Sequence, residues 1–519
     1  MAEKTEVTLN LTAAAPGSDK PEEARDVPDA TVPATEGLQG GYLTGWRLSA
    51  LLLCLGVSTF LTGLNESLVA TAIPKITVHF HSVDDIGWYS TAYFLSSSCT
   101  ILLFGRLYNQ YPAKPILAGS IALFEIGCLV SGTATSSAAF IIGRLLSGFG
   151  CAGMNTGCLT VLAHAVPLER RPIFSAIIDG GYSVASSCGP LLGGAITTRL
   201  SWRWCFLINT PPGALCILAI LIVYQDRYLP AGASERLVDQ IARLDLGATL
   251  LFASSVTCLV LLLQWGGSTF PWSSPKVIAL FVLFGVFLAT LIGHQLWRGE
   301  AAMVPRRVGR QREMVGAAVY AFFVGGTANI LEYYIPLWFQ EVWTVSALRS
   351  GIYTIPMVAG FVVFSLVAGF GVSSTGYYLP FMYLGSCALI AGSALLTTIH
   401  PASQLASLLG FEILIGVGGG SGIQQAYLVA QAILTTQDVA IGLAVIVMAQ
   451  TLGGTVLLSI ATSVVQEGLV TATSRGDSPS ISGAIIPAFY LAIATSVGSL
   501  ASLALLRMRS IKGDASAAR

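Results

Sequence analysis

Charge is what this chain has least of. Only 10% of its 519 residues are Asp, Glu, Lys or Arg, against 54% hydrophobic, whereas a soluble domain carries roughly 25% charged residues. A water-soluble globule is excluded and a polytopic membrane protein is expected. The 27 basic and 27 acidic residues cancel, leaving no overall field to draw in nucleic acid. No G-x-x-x-x-G-K-[ST] phosphate loop occurs, which argues against direct use of ATP. The ten cysteines, Cys54, Cys99 and Cys128 among them, lie in apolar runs without metal-ligand spacing, so neither a metal site nor a disulfide is expected, and no cofactor. No grouping of nucleophile with base marks an enzyme. The polar, Ala/Pro/Glu-rich opening over 1–45 predicts a disordered cytoplasmic tail rather than a cleavable signal peptide.

What the chain has instead is apolar runs. About 20 such residues cross a hydrocarbon core of roughly 30 Å, and fourteen runs reach that length, the first from Leu48 to Ala72, the second from Ile86 to Leu107 and the fifth from Pro172 to Thr198. They predict an all-α membrane protein with a six-helix N-terminal half over 46–224 and a cytoplasmic linker over 225–243. Two inserted helices over 244–297 follow, then a basic cytoplasmic loop over 298–313, a second six-helix half over 314–507 and a cytoplasmic tail over 508–519. An even count puts both termini on one side. Most loop arginines and lysines, among them Arg47, Lys114, Arg170, Arg171, Arg298, Arg306, Arg307, Arg310 and Arg312, fall on that side. Only Lys75, Arg199, Arg203, Lys276, Arg349 and Arg475 fall on the other, so the termini are expected in the cytoplasm.

A weak internal repeat supports two related halves. The string RLLSGFG from Arg144 to Gly150 is matched by EILIGVG from Glu412 to Gly418, 268 positions later, and Glu66 by Glu332, 266 positions later. The glycine run from Gly416 to Gly422 imitates a dinucleotide loop, but inside an apolar helix it reads as close helix packing.

Ionisable residues in hydrocarbon cost several kcal/mol and usually face a cavity or a partner. Six are candidates: Glu66, Glu125, Arg144, Asp179, Glu332 and Glu412. Glu125 is the weakest, and Asp179, near one end of its helix, suits a gate contact. Polar and aromatic residues in the same helices, Asn155, Asn329, Tyr333, Tyr334, Gln424, Gln425 and Gln450, suit an amphipathic or hydrophobic small molecule better than a sugar or inorganic ion.

The stretch DGGYSVASSCGPLLGGAITTRLSWRWCFLINTPPG from Asp179 to Gly213 resembles the fifth-span antiporter signature of the major facilitator superfamily. The WRWCFLIN that it contains is similar to fourteen-span drug:proton antiporters, fungal efflux pumps above all. LNESLVATAIP from Leu64 looks like that family's LDxTIVATAIP, with Asn65 in place of the acid. GRLYNQYPAK from Gly105 to Lys114 resembles the cytoplasmic gating loop GxLxDRxGRK, with Asn109 for its acid and Pro112 for its second glycine. Arg144 and Gly148 match the fourth span, and Gln424, Gln431, DVAIG from Asp438 and QTLGG from Gln450 match the second half.

The resemblance implies a major facilitator fold of fourteen transmembrane helices, with the first and fourth of each half lining a central cavity. Its gate falls on Gly105, Arg106, Asn109 and Lys114, and its antiporter motif on Gly189, Pro190, Gly193 and Gly194. Because the usual acids at 65 and 109 are missing, proton coupling is expected from other carboxylates. The expectation is that Glu66 and Arg144 pair and part on protonation, Glu332 and Glu412 face them, and Asp179 assists. A carboxyl moving to and from a guanidinium can release and take up a proton. One proton driven by 100 mV and two pH units yields about 5 kcal/mol, enough for a concentration ratio above about a thousandfold. The expected protein is a monomeric plasma-membrane exporter of a small organic toxin, secondary metabolite or drug, its partners being that cargo, protons and the lipid bilayer. A vacuolar location, a proton-coupled importer and a non-transporting sensor are the alternatives.

Overall fold

The computed structural model of the protein describes residues 42–82, 85–226, 244–266, 270–474 and 481–512. The tail expected over 1–45, the linker over 225–243 and the tail over 508–519 lie largely outside the described residues. What is described is almost entirely helical. The long helices are α1 (Trp46–Phe80), α2 (Ile86–Gln110), α3 (Ala113–Thr133), α4 (Ser137–Ala165), α5 (Arg171–Arg199), α6 (Trp204–Val223) and α7 (Leu246–Trp265). They continue with α8 (Pro275–Arg298), α9 (Arg312–Glu341), α10 (Leu348–Thr375), α11 (Leu379–Leu396), α12 (Leu405–Ile433), α13 (Val439–Ser474) and α14 (Ile481–Ser502). In an apolar solvent backbone amides have only one another to bond, so long uninterrupted helices are the outcome.

Twelve of these helices are long and apolar enough to cross a membrane; α2 and α5 are not among them. The expected count of fourteen therefore finds twelve supported by length and apolarity. The two that fall short are rich in small and polar residues, Ser96, Ser97, Ser98 and Thr100 in α2 and Asp179, Ser183, Ser186 and Ser187 in α5. Both are also the helices through which the two groups below touch.

Helices α1–α6 pack chiefly on one another, with α3 and α2 against α4 and α1 against α5. Helices α9–α14 do likewise, with α10 and α11 against α12 and α9 against α13 and α14. Between the groups, α5 meets α10 and α2 meets α13. Helix α7 leans on α2 and α13, while α8 packs mainly on α7 and buries only Val277 and Leu291. Its outer face, with Phe281, Val282, Val286 and Leu296 exposed, suits contact with lipid.

The sequence repeat reappears as repeated packing. A side chain added at Gly148 would collide with the carbonyl of Tyr93 in α2, and one at Gly416 with the carbonyl of Met357 in α10. Gly150 presses on the backbone of Phe124 in α3, and Gly418 on that of Leu389 in α11. In each group, then, one helix is sandwiched between two others at backbone distance, which only glycine permits. Gly148→Val and Gly416→Val should each destabilise the detergent-solubilised protein by about 1–3 kcal/mol. Gly119→Val, at a position with open space around it, should change stability by no more than about 0.5 kcal/mol. A thermal melt followed by size-exclusion chromatography reads the difference.

Candidate functional site

A cavity of about 260 Å³ lies between the two groups, lined from both of them. The first group contributes Thr59 and Glu66 from α1, Phe94, Ser97 and Ile101 from α2, Asn155 from α4, and Asp179, Tyr182 and Ser183 from α5. The second contributes Asn329 and Glu332 from α9, Phe361 from α10, Tyr427 from α12, and Gln450, Thr451 and Thr455 from α13. Of the candidates from sequence, Glu66, Asp179, Glu332, Asn155, Asn329 and Gln450 are thus brought together. Thr59 and Glu66, seven positions apart, share one face of α1, as do Asp179, Tyr182 and Ser183 on α5.

The α1–α5 crossing sets the acidic wall. Gly63 sits against the carbonyl of Tyr182, Gly189 against Ser67 and Gly193 against Thr71, and the hydroxyl of Thr59 donates to the carbonyl of Ile178 at 3.1 Å. The motif glycines Gly189 and Gly193 therefore act as close-packing positions, while Gly194 has open space around it and Pro190 is exposed. Across this crossing the Tyr182 hydroxyl donates to Glu66 Oε2 at 2.6 Å. Asp179, one turn earlier, lies beside Gln424 of the second group. Glu332 is exposed to the cavity and within electrostatic reach of Glu66.

The expected Glu66–Arg144 ion pair is not formed. Arg144 is only 1% exposed, and its guanidinium donates to Asn65 Oδ1 through Nη1 and to the carbonyl of Tyr89 through Nε at 3.0 Å. It lies 4.4 Å from the ring centre of Tyr93. Asn65 in turn donates to Cys128 Sγ at 3.3 Å. Neighbouring residues on a helix point about 100° apart, so Asn65 turns inward to Arg144 while Glu66 turns to the cavity. Arg144 acts on Glu66 through its field, from behind the wall.

Glu412 is a second departure: it is fully buried in α12, outside the lining, and no hydrogen bond reaches either carboxylate oxygen among the described residues. Glu125 is buried beside Thr210 and Gly213 of α6, also away from the cavity. Tyr333 points outward with 49% of its surface exposed, and Tyr334 is buried next to it. Gln424 and Gln425 are buried outside the lining, Gln424 donating to Ser365. Sequence reasoning missed Tyr182 and Tyr427, whose hydroxyls donate to Glu66 and Gln450. For Tyr182 the available signal was helical spacing, three positions after Asp179; Tyr427 had no such signal, since Gln424, three positions before it, lies outside the lining.

At the end of the bundle carrying Arg106, Arg171, Arg307 and Arg312, here called the basic end, two glycines bring the groups into close contact. Gly105 packs on Ala440, Ile441 and Ala444 of α13, and Gly369 of α10 on the carbonyl of Pro172, 2.8 Å from where a side chain would begin. Arg106 donates to the carbonyls of Ala301, at 2.8 Å, and Ala302. Arg307 forks onto Asp438 with two bonds of 2.8 Å and reaches Glu300 at 3.1 Å. The Asp438 carboxylate raises the Arg307 pKa above its ordinary value. The loop after α8 is thus laced to α2 on one side and to the start of α13 on the other. Lys114 contributes its backbone N–H, accepted by Asp226 at 3.1 Å, and Asn109 is half-buried.

Residues 55–458 match the pattern of the Major Facilitator Superfamily. The MFS-type transporter astH of Aspergillus oryzae is 38% identical over 501 residues, 91% of this chain and 88% of that one. The MFS-type efflux pump MFS1 of Trichophyton rubrum is 40% identical over 429 residues, 83% of this chain and 80% of that one. Efflux pump roqT of Penicillium rubens is 38% identical over 452 residues, 86% and 83% respectively. Among solved structures, the proton:xylose symporter XylE aligns with a TM-score of 0.64 at 14% identity, covering 90% of this chain and 97% of XylE. The human organic anion transporter MFSD10 aligns with a TM-score of 0.60 at 14% identity, covering 89% and 100%.

Two consequences of this geometry are measurable. Asn65→Leu removes the acceptor for a buried guanidinium and should cost about 1.5–3 kcal/mol of stability, whereas Asn65→Asp should not; equal melting of wild type and Asn65→Leu refutes the assignment. Asp438→Asn should speed hydrogen exchange in the 299–311 loop by on the order of tenfold, read by mass spectrometry.

Proposed function

We propose that this chain, which belongs to the Major Facilitator Superfamily, is a proton-coupled efflux transporter that exports a small organic toxin, secondary metabolite or drug by alternating access. The carrying observation is a cavity enclosed between two helix groups and lined by carboxylates from both, Glu66 and Asp179 on one side and Glu332 on the other. Relatives named efflux pumps support the direction; the solved structures, at 14% identity, speak for the fold alone.

On this reading α2 and α5 cross the membrane with the other twelve helices, giving two six-helix halves and the inserted pair α7 and α8. The basic end faces the cytoplasm with both termini, in the plasma membrane. Closure there by Gly105, Gly369 and the Arg307–Asp438 fork leaves the cavity to exchange with the opposite side. Protonation of Glu66 would release its hold on the Tyr182 hydroxyl and weaken its attraction to Arg144, letting α1 and α5 shift against each other. Arg144, held by Asn65 and the Tyr89 carbonyl, stays in place as a fixed positive charge. Asp179 sits where α5 meets the second half and serves as the second proton site.

Dye efflux from energised cells tests the reading. Wild-type efflux should stop on addition of an uncoupler, and Glu66→Gln should lower it by roughly tenfold or more at matched surface expression. Uncoupler-insensitive efflux, or full efflux by Glu66→Gln, would sink the coupling role.

A further inference from the structure

We propose that Glu332 selects the cargo by charge, so that this cavity takes an organic molecule with a positively charged group and an apolar body. The inference rests on the transport reading and specifies its substrate class. Three observations carry it. First, the described lining holds three carboxylates and no Lys, Arg or His. Second, the buried cation behind Glu66 does not balance them by contact. Arg144 stands behind the wall, its Nη1 donating to Asn65, its Nε to the Tyr89 carbonyl, and its face covered by Tyr93.

Third, the three carboxylates are not equivalent. Glu66 accepts the Tyr182 hydroxyl at 2.6 Å, and Asp179 lies beside Gln424. Glu332 is exposed into the cavity, and no hydrogen bond from a described residue reaches it. Another carboxylate of the lining, Glu66, lies within electrostatic reach of it. A carboxylate facing a second one over a confined, partly apolar space gains most from a cation placed between them. The residues beside it complete such a binding place. Asn329, one turn before Glu332, shares its face, while Phe94 and Phe361 offer aromatic surface to a cationic head or its apolar body. The same field repels anions, so discrimination comes from rejection as well as attraction.

Purified protein in detergent tests this with two probes of matched bulk and opposite charge, tetraphenylphosphonium and tetraphenylborate, titrated into wild type, Glu332→Gln and Glu332→Asp. Each variant is first checked for a monodisperse elution peak. The expected result is that Glu332→Gln weakens tetraphenylphosphonium binding by about tenfold or more, that Glu332→Asp restores most of it, and that neither change weakens tetraphenylborate. Equal tetraphenylphosphonium binding by wild type and Glu332→Gln overturns the proposal. So does a wild type that binds the borate as tightly as the phosphonium, or binds neither. Failure of the transport reading shows separately, as tetraphenylphosphonium that binds through Glu332 but is not moved across proteoliposome membranes under a proton gradient.

Discussion

A guanidinium enclosed in an apolar bundle must find its hydrogen bonds inside the protein, and the way Arg144 finds them shapes the rest of the site. Breaking such a buried charge's contacts typically costs several kcal/mol, so the elements supplying them are held in place. Those elements are α1 through Asn65 and α2 through Tyr89 and Tyr93. With α4 pinned to α2 at Gly148 and to α3 at Gly150, four helices and one cation form a rigid block. Glu66, one residue from Asn65, is left facing the cavity with its charge influenced but not cancelled. A fixed positive charge behind a wall and a carboxylate in front of it make a site whose protonation can answer to what enters the cavity.

The glycine packing and the site are parts of one arrangement. The repeat places Glu412 where Arg144 stands in the other group, and both side chains are buried. Yet of the two only Arg144 has hydrogen-bond partners among the described residues, so the two groups share a scaffold while differing in charge. The lining follows the same asymmetry, since two of its carboxylates come from α1–α6 and one from α9–α14. At the basic end the loop following α8 ties α2 to α13 through Arg106, Arg307 and Asp438. With α7 leaning on α2 and α13, the segment of α7, α8 and the following loop contacts both groups.

Much of this was legible in the sequence, and what was not has identifiable causes. Apolar runs and glycine repeats predicted the helices and their closest approaches, because hydrophobic length and the absence of a Cβ act locally. Glu66, Asp179 and Glu332 were legible as cavity residues because charge in hydrocarbon has few other places to go. Their partners were not. Whether Arg144 meets residue 65 or 66 depends on about 100° of helix rotation, and periodicity in a helix apolar all round does not fix that rotation. Tyr182 and Tyr427 were not singled out, because only the crossing of α1 and α5 and the packing of α12 on its neighbours bring their hydroxyls to Glu66 and Gln450. Tyr333, exposed, and Tyr334, buried, exchange the roles that composition alone would leave equal. The shortfall of α2 and α5 in apolarity arises from their small and polar residues, of which Ser97, Asp179 and Ser183 line the cavity.

The most direct test of proton-coupled export is made in proteoliposomes containing a trapped pH indicator and an organic dye on one side only. An imposed pH gradient should drive the dye against the direction of proton movement, and dye placed on one side should in turn move protons the other way. Protons travelling with the dye, or dye flux indifferent to the gradient, would contradict it.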